Sequence, residues 1–227
     1  MEPREPLGMG VVQVKICGLT QVEEAVACAE LGADAIGFVF YPPSPRFVRD
    51  EEARAMDKAL PERVHRVGVF VNEGLEPILR RVERCGLTAV QLHGQESPEL
   101  VAELRARGLV VIKALFVKGS PGLVEVDRYT ASAYLVECAG GPLPGGNALA
   151  WDWSMARNLS QTHPTVLAGG LSPETVAQAI AEARPHAVDV SSSVESSPGR
   201  KDIGAVRRFL EAVRRSEVLP LTQKVFS

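Results

Sequence analysis

The sequence has few of the residues that mark secreted and membrane-bound proteins. Its 227 residues include only four cysteines, Cys17, Cys28, Cys85 and Cys138, too few for a disulfide framework in a chain of this length. No apolar run approaches the roughly 20 residues needed to cross a bilayer. Residues 1–10 also lack the apolar core of a signal peptide. We therefore expect a cytoplasmic protein with no membrane partner.

Strong charge and metal-binding motifs are missing as well. The net charge is −3, and no basic run is dense enough to follow the phosphates of a nucleic acid. The four histidines form no HExxH or HxH pair, and the cysteines form no CxxC pair, which argues against a metal site. Walker and GxGxxG signatures are absent. These absences favour a protein that binds small molecules without a metal and without a nucleic-acid partner.

What the chain does contain is a regular alternation of two kinds of segment. Hydrophobic residues make up 45%, which is enough for a large core. Short apolar runs typical of buried strands alternate with stretches of helical periodicity, which implies parallel strands joined by crossovers. The eight runs are Val12–Ile16, Ala35–Phe40, Arg66–Val71, Ala89–Leu92, Val110–Leu115, Ala133–Glu137, Thr165–Ala168 and Ala187–Val190.

The spacing of these runs indicates the fold. Most begin about 22 residues after the previous one, and eight such units predict an α/β protein with a single-domain (β/α)8 TIM barrel. The alternative, a doubly wound open sheet, more often has five or six strands and a glycine-rich first turn. We predict a barrel over residues 11–215, an N-terminal extension over 1–10 and a C-terminal tail over 216–227. The apolar tail is expected to cover the barrel bottom or a partner chain, and we favour a homodimer.

Two of the eight units are longer than the rest, and each is lengthened directly after its strand. The insertions, 41–47 and 138–152, therefore belong to the face that holds the active site in barrel enzymes. On the first strand, alternation puts Lys15 and Cys17 on one face. Cys17 there is either a small buried apolar residue or a functional thiol. Thr20 is expected to cap the helix that follows.

Polar residues also gather at the ends of the other strands. After strands seven and eight come Gly169-Gly170 and the serines 191–193, where barrel enzymes often bind phosphate. These turns are either a phosphate site or two ordinary polar turns, and their position favours the first. Ser172 is expected to cap the helix after strand seven, with Pro173 as its first residue. Further candidates at strand ends are Arg46, Asn72, Gln91, His93, Lys113, Glu137 and Asp189.

Several blocks of the sequence resemble those of the phosphoribosylanthranilate isomerase family. They are VKICGLT at 14–20, GFVFY at 37–41 with SPR at 44–46, VFVN at 69–72, VQLHG at 90–94, LAGGL at 167–171, and VDVSS at 188–192 with VE at 194–195 and PGRKD at 198–202. The blocks follow the family's order and cover the chain from residue 14 to about 214. The resemblance implies a single-domain barrel of tryptophan biosynthesis that acts on a phosphorylated small molecule without a cofactor.

The resemblance also implies a reaction and a set of site residues. The reaction is the Amadori rearrangement of N-(5-phosphoribosyl)anthranilate to its 1-deoxyribulose 5-phosphate isomer by general acid–base catalysis. Cys17 would be the base, and the acid would be Glu137, where the family usually has Asp. Arg46 would hold the anthranilate carboxylate. The phosphate would be bound by Gly170, Ser192 and Ser193, and the rest of the substrate by Lys15, Gln91, His93 and Asp189.

Two other functions stay open at this point. The related aminoaldose isomerase of histidine biosynthesis performs the same chemistry on a larger substrate with two phosphates, but it uses a pair of aspartates where this chain has Cys17. A barrel that binds phosphorylated ligands without turning them over is the other alternative. Turnover of the aminoaldose separates the three.

Overall fold

Eight parallel strands hydrogen-bond side by side into a closed barrel in the computed structural model, which describes residues 12–138, 151–216 and 223–226. The barrel closes where β1 pairs with β8. The predicted TIM barrel is therefore confirmed, and the predicted strand boundaries differ from the observed ones by at most one residue. The strands are β1 Gln13–Cys17, β2 Ala35–Val39, β3 His65–Phe70, β4 Ala89–Leu92, β5 Val110–Phe116, β6 Ala133–Glu137, β7 Thr165–Leu167 and β8 Ala187–Val190.

Helices on the outside of the barrel connect most strands to the next. In the fifth unit a 3-10 helix, Leu123–Arg128, takes the place of an α-helix, and a second one, Trp153–Ala156, precedes the short helix of the sixth unit. No helix among the described residues is long and apolar enough to span a membrane. The α-helices are α1 Val22–Glu30, α2 Asp50–Ala59, α3 Leu75–Arg84, α4 Pro98–Ala106, α5 Arg157–Thr162, α6 Val176–Ala183 and α7 Ile203–Arg215.

Two predicted helix caps are wrong. The cap of α1 is Gln21, and the hydroxyl of Thr20 instead donates to the carbonyl of Gly199 at 2.6 Å. Helix α6 begins at Val176, because Ser172 forms a local turn in which its Oγ accepts from the Glu174 N–H at 3.2 Å. Both residues are hydroxyl side chains that can bond either a helix terminus or a nearby loop.

The interior of the barrel has two ends of different character. Small and branched apolar side chains fill its lower and middle layers, among them Ala35, Val67 and Ala133. At the carboxyl ends of the strands the inward side chains become polar, and we call this end the barrel mouth. Its inward polar side chains are Lys15, Gln91, His93, Glu137 and Asp189.

At the opposite end, residues 223–226 close the barrel, and we call this closure the barrel floor. Val225 and Phe226 are buried against the lower barrel residues, and the Phe226 ring lies 5.7 Å from that of His65. The Gln13 amide of β1 holds the segment in place. Its Nε2 donates to the Phe226 carbonyl at 2.6 Å, and its Oε1 accepts from the N–H groups of Val225 and Phe226 at 2.8 and 2.9 Å. The described part of the tail thus covers the barrel bottom.

A two-stranded hairpin at the mouth end of the barrel was not predicted. It consists of β9 Glu195–Ser197 and β10 Arg200–Lys201, inserted between β8 and α7. Three other predictions fall on residues beyond the described ranges: the N-terminal extension at 1–10, most of the insertion at 138–152 and part of the tail.

Candidate active site

Cys17 ends β1 on the inner face of the barrel, next to a buried ion pair. Lys15, which is fully buried, donates through Nζ to Oδ1 of Asp189 on the neighbouring β8 at 2.9 Å. On the other side, Gly37 of β2 pairs with Cys17, and a Cβ at Gly37 would lie 2.7 Å from the thiol sulfur. A side chain at Gly37 would therefore displace the thiol. The structure thus brings together Cys17, Lys15 and Asp189, three of the candidate residues at strand ends.

Two opposing effects act on the acidity of this thiol. Burial raises the pKa of Cys17 above its ordinary value, and the neighbouring Lys15 ammonium lowers it by less. For Lys15, burial alone would lower the pKa, but attraction to Asp189 and Cys17 outweighs burial and the pKa is raised. The thiol is thus protonated near neutral pH, and a permanent cation beside it stabilises the thiolate when it forms.

Glu137 ends β6 on the same inner face and contacts His93, which follows β4. His93 Nε2 lies 3.2 Å from Oε1 of Glu137, and both side chains are buried. Burial would lower the pKa of His93, but the attraction of the Glu137 carboxylate outweighs it and raises that pKa. His93 therefore keeps its second proton to higher pH than an isolated imidazole does.

Gln91 contacts the other ring nitrogen of His93. Its Nε2 lies 2.9 Å from Nδ1 of His93, while its Oε1 is buried with no hydrogen-bond partner among the described residues. An unpaired buried oxygen costs about 1–3 kcal/mol. Rotating the amide by half a turn would let Oε1 accept from a protonated Nδ1 of His93. In either orientation one amide atom is left without a hydrogen bond to the described residues.

Arg46 lies on the loop after β2, with its stem across the turn that follows Cys17. A Cβ at Gly18 would lie 2.5 Å from the Arg46 Cδ, so only glycine leaves room for the stem. The guanidinium donates through Nε and Nη2 to the two carboxylate oxygens of Glu195 at 2.9 and 2.8 Å. The Arg46 stem therefore lies against the turn that follows Cys17, and its guanidinium already has a carboxylate partner of its own.

The turns after β7 and β8 meet at the rim of the mouth. Gly169 and Gly170 have φ of +82° and +70°, a backbone conformation that strongly favours glycine. Ser192 begins a short 3-10 helix, and the hydroxyl of Ser193 donates to the Leu171 carbonyl, which ties the two turns together. Ser191 donates to the Cys17 carbonyl at 3.0 Å. The three residues predicted to bind phosphate are thus neighbours at this rim.

The loops after β3 and β4, half-way round the barrel, are arranged differently. The Glu96 carboxylate accepts from the backbone N–H groups of Asn72 and Gly94 at 2.9 and 3.0 Å, and from Lys113 Nζ at 2.9 Å. Lys113 points out of the barrel, since its neighbours Ile112 and Ala114 line the interior. Asn72 and Lys113, two candidates from the sequence, therefore serve an internal ion pair outside the mouth.

Sequence reasoning missed two charged residues of the site. Glu195 bonds Arg46, and Lys201 donates to Glu195 Oε1 at 2.8 Å and to the Ser191 carbonyl at 3.2 Å. Both lie within blocks that carry the resemblance, so a signal was present, but nothing in their spacing placed them beside Arg46. Among the described residues there is no group of three or more metal-ligating side chains that could hold a metal ion.

Fold and site together define a class of protein. A closed (β/α)8 barrel carries at its mouth a thiol beside a cation and a carboxylate beside an imidazole, each able to move one proton. The molecule is thus a TIM-barrel enzyme of the acid–base type.

Comparison with known proteins identifies the family. Residues 14–212 match the family of N-(5'-phosphoribosyl)anthranilate (PRA) isomerase. The N-(5'-phosphoribosyl)anthranilate isomerase of Desulfatibacillum aliphaticivorans is 54% identical over 216 residues, which cover 95% of this chain and 99% of that protein. The chain belongs to the phosphoribosylanthranilate isomerase family.

Two solved structures of the family are similar throughout. One is a phosphoribosylanthranilate isomerase in complex with reduced 1-(o-carboxyphenylamino)-1-deoxyribulose 5-phosphate, with 42% identity, a TM-score of 0.80 and coverage of 89% of this chain and 98% of that one. The other consists of monomers generated from the dimeric enzyme of Thermotoga maritima, with 41% identity, a TM-score of 0.79 and the same coverage.

Proposed function

We propose that Cys17 and Glu137 are the base and the acid with which this enzyme isomerises N-(5'-phosphoribosyl)anthranilate to 1-(2-carboxyphenylamino)-1-deoxyribulose 5-phosphate in tryptophan biosynthesis. The observation that supports this assignment most directly is their placement: both end parallel strands on the inner face of one barrel mouth. The reaction is an aldose–ketose isomerisation that needs one proton donor and one proton acceptor and no cofactor.

The first step opens the sugar ring. A proton from Glu137 is transferred to the furanose ring oxygen, the bond from that oxygen to C1′ breaks, and a Schiff base forms between C1′ and the anthranilate nitrogen. His93 lies 3.2 Å from the Glu137 oxygen and can return a proton to it. Glu137 is thus the direct proton donor and His93 its source of protons, with His93 also in contact with the sugar.

The second step moves the proton from C2′. The Cys17 thiolate abstracts it, giving an enolamine that tautomerises to the ketone. The raised pKa of Cys17 makes the thiolate scarce near neutral pH but also more basic once formed. The Lys15 ammonium stabilises it, and Asp189 holds Lys15 in place at 2.9 Å.

The remaining site residues bind the two charged ends of the substrate. Arg46 presents planar N–H donors that match the anthranilate carboxylate. Gly170, Ser192 and Ser193 would bind the phosphate through backbone N–H groups and hydroxyls at the rim of the mouth. The amide atom that Gln91 leaves unpaired would bond a sugar hydroxyl, in the same region as Lys15 and Asp189.

Turnover tests this function directly. The substrate is generated from anthranilate and phosphoribosyl pyrophosphate, and the decay of its fluorescence is followed with and without the protein. We expect rapid loss of signal, while the two-phosphate aminoaldose of histidine biosynthesis should be converted at least about a hundredfold more slowly, since its second phosphate has no free amide cradle at the Glu96 side. Binding without turnover would show a non-catalytic barrel.

The setting of the enzyme is proposed on chemical grounds. Phosphorylated sugars are charged and do not cross membranes unaided, so an enzyme that consumes one is expected in the cytoplasm. A homodimer is proposed because the family includes the dimeric enzyme of Thermotoga maritima. Light scattering at micromolar concentration would measure the mass in solution.

A further inference from the structure

Arg46 belongs to a buried network of three charges. Arg46 donates two hydrogen bonds to the Glu195 carboxylate, one of them from Nε to Oε1. Lys201 Nζ donates to the same oxygen, Oε1. The side chains of Arg46, Glu195 and Lys201 are only 8%, 4% and 0% exposed. A carboxylate held by three donors in this way is a rigid partner, because each of its oxygens is bonded.

This network contributes orientation more than stability. A buried ion pair gains little net free energy, since the cost of removing the charges from water offsets their attraction. A parallel fork, however, fixes the plane of a guanidinium and removes much of the freedom of its long side chain. Glu195 engages Nε and Nη2, while Nη1 makes no hydrogen bond to the described residues. One edge of Arg46 is thus anchored and another is left to bind an anion.

The hairpin that carries the network is itself attached to the loop after β1 and to the helix α1 that follows it. Thr20 of the loop after β1 bonds the carbonyl of Gly199 at the hairpin tip. Glu24 of α1 accepts from the Lys201 N–H at 2.9 Å and from Arg200 at 2.7 Å. The position of Glu195 is therefore fixed relative to Cys17, and through Glu195 so is the guanidinium of Arg46.

We propose that Glu195 is the positioning residue of Arg46, and that it sets the preference for arylamine substrates that carry a carboxylate on the ring. By holding Nε and Nη2, it aims the remaining N–H groups of Arg46 at the place where the ring carboxylate lies during the reaction. Lys201 holds Glu195 for this purpose. The inference rests on the proposed function of Arg46.

The test compares two substrates in the Glu195→Gln variant. One is the anthranilate aminoaldose, and the other is the aniline-derived aminoaldose phosphate, which has the same sugar but no ring carboxylate. With the first substrate KM should rise about tenfold and kcat should stay within about twofold, because an interaction used equally in binding and reaction is weakened. With the second substrate both constants should stay unchanged. A general structural defect would affect both substrates alike and would overturn the proposal.

Three further variants complete the experiment. Glu52→Gln removes a matched carboxylate, bonded to Arg49 on the exposed surface, and should change neither constant. Arg46→Ala should raise KM about thirtyfold for the anthranilate substrate only, through loss of about 2 kcal/mol of charge-assisted binding. Arg46→Ala/Glu195→Gln should be no worse than Arg46→Ala alone, since Glu195 acts through Arg46.

The outcomes separate this inference from the function it rests on. If Arg46→Ala weakens binding but Glu195→Gln does not, or if Glu195→Gln lowers KM, the positioning role is wrong and the function stands. If Arg46→Ala has no effect, the assignment of Arg46 itself is wrong. Should Glu195→Gln fail to fold, Lys201→Met removes the second partner of Glu195 and should raise KM about threefold, only for the carboxylate substrate. Lys201 also lowers the pKa of Cys17, so its loss should shift the pH profile alike for both substrates, and KM is compared at the pH optimum of the variant. An equal rise in KM for both substrates would overturn the proposal.

Discussion

The mouth and the floor of this barrel are two ends of one interior, built from the same strands and filled in opposite ways. On β1, Gln13 bonds the floor segment while Lys15 and Cys17 face the mouth. The floor is closed by Val225 and Phe226, whose backbone N–H groups are both bonded by the Gln13 amide. The mouth concentrates buried charges and contains the unpaired oxygen of Gln91.

The two ends of β1 therefore have different roles: the floor end contributes to stability and the mouth end to chemistry. Buried apolar contacts and a satisfied amide lower the free energy of the folded state, whereas buried charges and an unpaired polar atom raise it. Substitutions at the mouth should therefore change turnover more than stability, except where they leave one partner of a buried ion pair uncompensated. Substitutions at the floor should do the reverse.

The largest expected effect is at the thiol. Cys17→Ser should reduce kcat by about a thousandfold or more, because a hydroxyl is far too weak an acid to become a base near neutral pH. The side chain is of similar size, so the thermal unfolding midpoint should be that of the native protein. Steady-state kinetics and calorimetry measure the two. Retention of more than about a tenth of the activity would mean that Cys17 is structural.

The next effect is at the other catalytic group. Glu137→Gln should reduce kcat at least about a hundredfold with little change in KM, because the amide keeps the shape and loses the transferable proton. Glu137→Asp should retain more activity than Glu137→Gln, since it keeps the carboxyl group. Single-turnover rates with both variants make the comparison, and near-native rates for the Gln variant would assign the acid to another group.

The floor is expected to respond in the opposite sense. Phe226→Ala should lower the free energy of unfolding by about 3 kcal/mol, because it empties a buried aromatic site. At low temperature, where the variant is still folded, kcat should be unchanged. The control is Val124→Ala, an apolar truncation at a side chain that is 93% exposed, which should cost less than about 0.5 kcal/mol. Loss of turnover in folded Phe226→Ala would show that the floor also affects catalysis and would contradict this separation of roles.

The smallest effect is a shift in pH dependence. The thiolate is the active form and the pKa of Cys17 is raised, so kcat/KM should climb as pH increases above neutral. Lys15→Met removes the charge that lowers the pKa of Cys17, so the rise of kcat/KM should occur at higher pH. Asp189→Asn removes a charge that raises the same pKa and should move it to lower pH. Shifts of both variants in the same direction would show that the rise of kcat/KM reports the titration of a group other than Cys17.

The fold was largely predictable because each strand of a closed parallel barrel is buried on both faces and reads as a short apolar run. Boundaries such as Ala89–Leu92 and Ala133–Glu137 follow from the sequence without correction. The caps at Thr20 and Ser172 were not predictable, for two different reasons. Thr20 bonds Gly199, which only the fold brings near, and Ser172 forms a local turn with Glu174, an alternative open to a serine before a helix.

Most members of the candidate site were predictable from the sequence, but Glu195, Lys201 and the pairings between side chains were not. Strand ends identify Cys17 and Glu137 as facing the mouth, since alternation fixes the face. The partner of Arg46 could not be inferred, because Glu195 lies 149 positions further along the chain and reaches Arg46 through an unpredicted hairpin. Likewise, the Lys113–Glu96 pair appears as two unrelated charges until β4 and β5 lie side by side.

The hydrogen bonds of Gln13 have a consequence for synthesis on the ribosome. They join β1 to residues 212 and 213 positions later, and at about 5–20 residues per second those residues are made roughly 10–40 s after Gln13. For that interval the nascent barrel has no floor, and the apolar residues that Phe226 later covers are open to chaperones or to other nascent chains. Variants at 225 and 226 should therefore reduce the yield of folded protein in cells more than they reduce the activity of the molecules that do fold.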